Sequence, residues 1–187
     1  AFTAVLVLRV FLPSPALAQL DPFEKVHEKK GPINITAGHV EYDKANKIVT
    51  ATGQAKATQQ DFSISADKLI YYDEEKRLEA IGNVVMQEWE NLYKADRMVI
   101  DTENETGVLI NGEVYLAAGN FQLCGNRVEK LPNDRYHIED GIYTTCTCPP
   151  GEKPSWTFQG SRMDVTYGNY GAVSNARLNA KGIPIFY

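Results

Sequence analysis

The chain has 187 residues, of which 43% are apolar, and this length and composition suit about one domain with a sizeable core. The formal net charge is −5 and no basic stripe with interleaved aromatic residues occurs, so the composition argues against a nucleic-acid partner. The sequence contains no P-loop, nucleophile elbow or zinc-binding helix pattern, so we expect neither an enzyme nor a cofactor-binding protein.

Residues 1–18 have the pattern of a secretory signal peptide that lacks its basic start. A short apolar run precedes Ala16-Leu17-Ala18, and small residues in this spacing form a cleavage site. A buried strand or helix, or a membrane anchor, is the alternative, although the run is short for a membrane span. We therefore expect cleavage after Ala18, export to a bacterial periplasm, and a flexible lead-in at residues 19–32, which are polar and aperiodic.

A sequence repeat accounts for nearly all of residues 33–187. Its central copy, Phe62 to Met86, has two segments of alternating apolar and polar residues separated by a charged cluster, a pattern typical of two strands joined by a turn. Two degenerate copies begin at Phe121 and Trp156, so we predict an all-β domain of about five stacked strand pairs with open edges at both ends. The period is 29 residues with one slip to 30, which is visible in Ala37, Ala66 and Ala95 and in Gly53, Gly82, Gly112 and Gly141.

In the first strand of each pair, the alternation of apolar and polar residues shifts by one residue near the middle of the strand. In the central copy Ile64 and Ala66 share one face, but the next apolar residue is Leu69, so the phase shifts at Asp67-Lys68. A β-bulge can absorb such a shift and keep all these side chains on the same side of the sheet. Because the copies share the shift, we predict a kink at the same level of every strand pair.

The return strands are predicted to keep a single phase, which gives the sheet one apolar inner face and one wet face. A filled core is one outcome of this pattern, but the many alanines and glycines on the inner face leave room for an open groove. The wet face is predicted to carry Lys56, Glu79, Gln87 and Glu113. The inner face of the return strands is predicted to carry Val49, Ala51, Ala55, Leu78, Ala80, Val84, Met86, Val108, Ile110, Val114 and Leu116.

The repeated phrase resembles a known family. Ala-Asp-(Lys/Arg) followed by Ala-x-Gly-Asn-Val is similar to the OstA-type repeat of the lipopolysaccharide (LPS) transport proteins. Tyr143-Thr144-Thr145-Cys146, Pro154-Ser155-Trp156 and the ending Ile183-Pro184-Ile185-Phe186-Tyr187 resemble its outer-membrane LptD branch, in the N-terminal periplasmic domain. The repeat itself is shared with the LptA and LptC branches.

The resemblance implies a β-jellyroll whose apolar interior holds the acyl chains of LPS. It further implies receipt of LPS from an LptA-like periplasmic bridge protein by edge-strand addition, and transfer to an outer-membrane barrel, assembled with the lipoprotein LptE, that follows Tyr187. A periplasmic bridge protein of LptA type is the alternative within the family. The candidate lipid-facing residues are Ile64, Ala66, Leu69, Tyr71, Leu78, Ala80, Val84, Met86, Tyr93, Met98, Ile100, Val108, Ile110, Val114 and Leu116.

Three cysteines, Cys124, Cys146 and Cys148, leave at least one without an internal partner in an oxidising compartment. The spacing of Cys146 and Cys148 gives poor geometry for a mutual disulfide. The resemblance implies that Cys146 bridges to the barrel, and whether Cys148 or Cys124 supplies the second bridging thiol stays open. An alternative for Cys124 is a structural role as a small buried apolar residue. A metal site formed by Cys146, Cys148 and His137 is a further alternative, but these residues lack the usual ligand spacing.

A different class of function is a structural or carbohydrate-binding β-repeat module. Sugar sites present exposed aromatic platforms, and Tyr72, Trp89 and Tyr115 are the candidates on the outer face. An open apolar groove would favour the lipid, whereas a filled core with an aromatic outer stripe would favour the sugar.

Overall fold

The computed structural model describes residues 33–104, 106–117, 120–133, 135–146, 153–166 and 171–186. The predicted signal segment and lead-in lie outside these ranges. The described residues contain no α-helix and form thirteen strands: β1 (Asn34–Thr36), β2 (His39–Asp43), β3 (Ile48–Gln59), β4 (Phe62–Tyr72), β5 (Arg77–Glu88), β6 (Asn91–Asp101), β7 (Thr106–Leu116), β8 (Phe121–Leu131), β9 (Arg135–Thr144), β10 (Trp156–Thr166), β11 (Gly171–Ser174), β12 (Arg177–Ala180) and β13 (Ile183–Phe186).

All these strands belong to one antiparallel sheet in which β3 to β10 follow each other in sequence order. Both ends of the stack divide at mid-strand. Strands β1 and β2 pair with the two halves of β3, while β12 and β11 pair with the two halves of β10, and β13 adds to β12. The all-β fold of repeated strand pairs predicted from the sequence is therefore confirmed.

Aspartates at the repeat turns hold the chain reversals. Asp43 Oδ1 accepts hydrogen bonds from the backbone N–H groups of Ala45 and Asn46, at 2.9 and 3.1 Å. Asp101 accepts from Glu103 and Asn104 in the same way, at 3.0 and 2.9 Å. The acidic clusters of the repeat are thus turn-forming residues, as side-chain to backbone bonding of this kind predicts.

The predicted change of phase is present at mid-strand. Ile64, Ala66 and Leu69 are all buried, which requires a three-residue step between the last two in place of the usual two. The register between β4 and β5 shifts between Ser65 and Lys68. The bulge therefore keeps the apolar side chains of both strand halves on the inner face.

The additional residue in β3 and β5 comes from two consecutive left-handed positions. Gly82 and Asn83 have φ values of 75° and 49°, and Gly53 and Gln54 have 79° and 54°. Glycine and asparagine tolerate this conformation better than other residues. A Cβ on Gly82 would collide with the Asp67 carboxylate, so the glycine also leaves room for that side chain.

The signature Asp and Asn of the repeat bind each other across the bulge. Asn83 Nδ2 donates to Asp67 Oδ2 at 2.9 Å, and Asn111 Nδ2 donates to Asp96 Oδ2 at 2.7 Å in the next copy. These residues were recognisable in the sequence as a repeated phrase. The structure shows that they join adjacent strands at the bend.

For the second strand of each pair, the sequence predicted that the alternating apolar residues all lie on the inner face. This prediction is correct for β3 and β5 and wrong for β7. Leu109 is buried on the inner face, so Val108 and Ile110 lie on the outer face, where Ile110 is opposite Arg97 and Arg127. The reason is that the bend of β7 has one residue fewer than the bend of β5, with Asn111 alone in the left-handed region in place of Gly82 and Asn83. The buried residues Leu109 and Gly112 are therefore three residues apart, and this odd step places the half-strand before the bend in the opposite phase.

Glu79 was predicted to be solvated and is in fact buried, with 7% of its surface exposed. It does lie on the outer face, where it is opposite Ile70 and Val99. Its carboxylate forms ion pairs with Arg97 and with Arg77, the latter at 3.3 Å. These neighbours cover the carboxylate and compensate its charge, whereas Lys56, Gln87 and Glu113 are exposed as predicted.

Replacement of Asn83 tests the bond that spans the bulge. Asn83→Ala removes the amide that donates to Asp67 and places alanine, which tolerates the left-handed conformation less well than asparagine, at this position, so we expect the free energy of unfolding in urea to fall by about 1–2 kcal/mol. Asn83→Gly relieves the backbone and removes only the bond, so its loss is expected to be smaller. The exposed Lys56→Ala variant is the control, and an Asn83→Ala protein as stable as that control would contradict the role of the bond.

Candidate functional site

An internal cavity of about 790 Å³ lies on the inner face of the bent sheet. Its lining begins at Ile33 and Ile35 beside the first strand and reaches Val165 and Val173 in β10 and β11. Residues from both halves of the strands line it, for example Ile64 before the bend and Leu69 after it. The two halves of the sheet therefore form the walls of one apolar channel along the stack.

Small residues occupy the bend where the walls meet. Ala55, Ala66, Ala80 and Ala95 are buried there and do not line the cavity. In the degenerate copies glycine takes this position, and a Cβ on Gly141 would lie only 2.9 Å from Met163 Sδ. Small residues at the bend thus let the strands fold closely while larger side chains line the walls.

Most of the predicted lipid-facing residues line the cavity. Ala66, Ala80 and Val84 are buried at the bend, and Val108 and Ile110 lie on the outer face. The prediction placed those last two wrongly. The candidate lipid-facing residues that line the cavity are Ile64, Leu69, Tyr71, Leu78, Met86, Tyr93, Met98, Ile100, Val114 and Leu116.

Sequence reasoning missed the contribution of the degenerate copies to the lining. The same three-residue step identifies it, because Gly125 and Val128 in β8 share the inner face just as Ala66 and Leu69 do in β4. Leu109 was missed for the reason given above for β7. The other missed lining residues include Leu123, Val128, Tyr136, Ile138, Phe158 and Met163.

Polar residues line the cavity near its two rims. The first rim is formed by the strand ends at turns 44–47 and 73–76, and the second by the strand ends at turns 60–61 and 89–90. Lys130 lies near the first rim and Glu88 at the second, and both are buried. The interior is otherwise predominantly apolar, so it can exclude water from an apolar ligand.

A cluster of three aromatic rings lies at the second rim, on strands β8, β9 and β10. Phe121 and Tyr143 are stacked with their centroids 5.8 Å apart, and Tyr143 meets Trp156 edge-on at 5.6 Å. Burial raises the pKa of Tyr143 above its usual value. These rings extend the apolar lining, since Phe121 and Tyr143 also face the cavity.

The candidate aromatic residues for sugar binding do not form one platform. Tyr72 lies at the first rim, where the Arg77 guanidinium carbon is 3.8 Å from its ring centroid. Trp89 and Tyr115 lie toward the second rim, at the other end of the strands. The outer face therefore lacks the continuous aromatic stripe that the carbohydrate hypothesis requires of these residues.

The two described cysteines have different environments. Cys124 is half-buried, and burial raises the pKa of its thiol, with the nearby Glu113 charge adding to the effect. The hydrogen bond with Thr144 lowers the pKa of the Cys146 thiol. Both are free thiols, and Cys148, which with Cys124 is a candidate for the second bridging thiol, lies outside the described residues.

His137 contacts carboxylates of its own strand and of the neighbouring strand. Its Nδ1 lies 2.6 Å from Asp164 Oδ1 on the neighbouring strand, and its Nε2 lies 3.8 Å from Glu139 Oε1. Within the described ranges no group of three or more His, Cys, Asp or Glu side chains could hold a metal ion.

Helices that could cross a membrane are absent from the described part of the chain.

Comparison with known proteins gives a consistent result. A sequence model of the family described as LptA/(LptD N-terminal domain) LPS transport protein matches residues 34–169. The LPS-assembly protein LptD of Aliivibrio fischeri is 26% identical over 168 residues, which cover 89% of this chain and 21% of that protein. The LptD of Methylococcus capsulatus is 27% identical over 166 residues, which cover 88% of this chain and 16% of that protein. The chain thus spans about a fifth of the length of these relatives.

Among solved structures, the crystal structure of LptH, the LptA-homologous periplasmic component from Pseudomonas aeruginosa, aligns with a TM-score of 0.32 at 12% identity. The alignment covers 81% of this chain and 83% of that chain.

The two thiols are expected to react at different rates. In a Cys148→Ser background, Cys146 should be alkylated faster than Cys124 at mildly alkaline pH, because its lowered pKa gives more thiolate while burial raises the pKa of Cys124. Thr144→Val should slow the reaction of Cys146, since the hydrogen bond that lowers its pKa is lost. Peptide mass spectrometry after timed alkylation measures both rates, and equal rates would contradict the assignment.

Proposed function

The chain belongs to the LptA/(LptD N-terminal domain) family of LPS transport proteins, and on that premise we propose that it carries LPS by holding its acyl chains in the apolar cavity. The observation that supports this proposal is a cavity of about 790 Å³ that runs the length of the stack with an apolar lining. An aliphatic chain matches such a space in shape and chemistry. No covalent step is involved, so the domain acts as a conduit.

The energetics favour a lipid with several acyl chains. Each buried methylene contributes about 0.8 kcal/mol, so one chain of about twelve carbons gains roughly 10 kcal/mol. Association costs about 4–15 kcal/mol in lost freedom, which offsets most of the gain from a single chain. Several chains on one headgroup share that cost, so LPS is expected to bind more tightly than a single-chain lipid.

The first edge of the stack is suited to receiving the lipid from a partner. Strands β1 and β2 each have one unpaired edge among the described residues, and Ile35, Val40 and Tyr42 are exposed there. Ile35 also lines the cavity, so a strand added at this edge would extend the channel wall. We propose an LptA-like periplasmic bridge protein as the partner at this edge.

The last edge is suited to passing the lipid onward. Ile183, Ile185 and Phe186 of β13 are more than half exposed, and an apolar edge strand of this kind associates readily with another chain. We propose that this edge faces an outer-membrane barrel that follows in the same polypeptide and is assembled with LptE. The protein then acts at the periplasmic face of the outer membrane, after export directed by the signal peptide proposed at residues 1–18.

Photo-crosslinking at adjacent tyrosines tests the cavity as the lipid site. Tyr71 lines the cavity, whereas Tyr72 lies on the outer face beside Arg77. With benzoylphenylalanine at Tyr71, irradiation in cells should give an LPS adduct on an immunoblot, and the same residue at Tyr72 should give little or none. The pair is matched in side-chain size and in position along the strand. Equal adducts from both positions would exclude the cavity as the route.

Filling the cavity should weaken lipid binding without unfolding the protein. Ala57 lines the cavity, and a tryptophan there would occupy space that the acyl chains need. Ala57→Trp is expected to reduce LPS binding at least tenfold in a pull-down titration, while the adjacent outer-face variant Thr58→Trp binds normally. Normal binding by a folded Ala57→Trp protein would argue that LPS does not enter this cavity.

A further inference from the structure

Lys130 is the basic side chain among the residues that line the cavity, and only 6% of its surface is exposed. Lysine is rarely buried to this extent unless its charge is compensated. It lies in the row of inner-face residues nearest the first rim, opposite Gly107 on one side and Tyr136 on the other. The ammonium-bearing side chain therefore borders the interior of the channel and not the outer surface.

The two residues opposite Lys130 also line the cavity. Gly107 has no side chain, so the backbone of β7 borders the cavity at this point. Tyr136 on the other side lines the cavity and adds a ring that bears a hydroxyl group. An ammonium has three N–H donors, so a contact with a protein group does not prevent a second contact with an anionic ligand.

The acidic residues of the lining are placed differently. Asp101 is at the first rim, but its carboxylate bonds to the turn, with Oδ1 accepting from Glu103 and Asn104 and Oδ2 accepting from Asn104 Nδ2 at 2.8 Å. Glu88 is at the second rim, at the opposite end of the strands. The first rim therefore has Lys130 together with a carboxylate that the turn engages, whereas the second rim has the Glu88 carboxylate.

We propose that Lys130 binds the phosphate group of an amphiphile whose acyl chains occupy the cavity, and so directs the anionic headgroup to the first rim. The inference rests on the proposed function, because it requires acyl chains in the channel. A charge-assisted contact in a partly desolvated site is stronger than the same contact in water.

Three amphiphiles that share a dodecyl chain and differ in headgroup charge separate the effect of the headgroup charge from that of burying the chain. Dodecyl phosphate, dodecyl maltoside and dodecyltrimethylammonium would each compete with the uncharged fluorescent probe N-phenyl-1-naphthylamine for the wild-type protein, Lys130→Met and the exposed-lysine control Lys94→Met. Methionine preserves the length and apolar stem of the lysine. We expect Lys130→Met to weaken dodecyl phosphate about tenfold and to leave dodecyl maltoside and the probe unchanged. Lys94→Met is expected to change none of them.

The outcomes distinguish the inference from the function on which it rests. Equal affinity of wild type and Lys130→Met for dodecyl phosphate, or equal losses for all three amphiphiles, would overturn the role of Lys130 while leaving the cavity as a lipid site. Failure of the wild-type protein to bind the probe and dodecyl maltoside would overturn both. Inorganic phosphate alone should not compete, and competition by it would indicate a free-phosphate site in place of a lipid headgroup site.

Discussion

The bend in the middle of every strand pair is the constraint on which the rest of the structure depends. Without it, the change of phase between Ala66 and Leu69 would place half of the apolar side chains of β4 on the solvent face. The left-handed Gly82 and Asn83 supply the additional residue, and the bond from Asn83 to Asp67 joins the neighbouring strands at that level. Because the bend recurs along the stack, one sheet supplies both walls of the channel.

The same bend explains why the interior remains open. Alanine and glycine lie at the bend, whereas larger side chains such as Tyr71 and Phe121 line the walls toward the two rims. A core of the usual packing density would fill this space and would be more stable in isolation. The chain belongs to a family of LPS transport proteins, and the proposal that it holds acyl chains rests on this apolar volume.

Much of the fold was predictable because each repeat contains residues that mark its turns and its bend. Turn aspartates, the Gly-Asn pair and the three-residue step recur at a fixed spacing, so the strand pairs and the bend could be located from the sequence. The face of β7 could not be obtained from alternation alone, since its bend has one residue fewer than that of β5 and a single left-handed position, Asn111. The burial of Glu79 depends on Arg97 on an adjacent strand, and that of Lys130 on a cavity built by many strands. Such properties arise only when the strands are assembled.

The most direct test of an open channel that holds acyl chains is a crystal structure with a dodecyl phosphate that carries bromine at the end of its chain. Anomalous scattering locates the bromine independently of the fitted ligand. We expect the signal between the two walls, near Ile64 and Met98, which line the cavity. A bromine bound only on the outer face, or walls that close on each other and leave no space for the chain, would contradict the account.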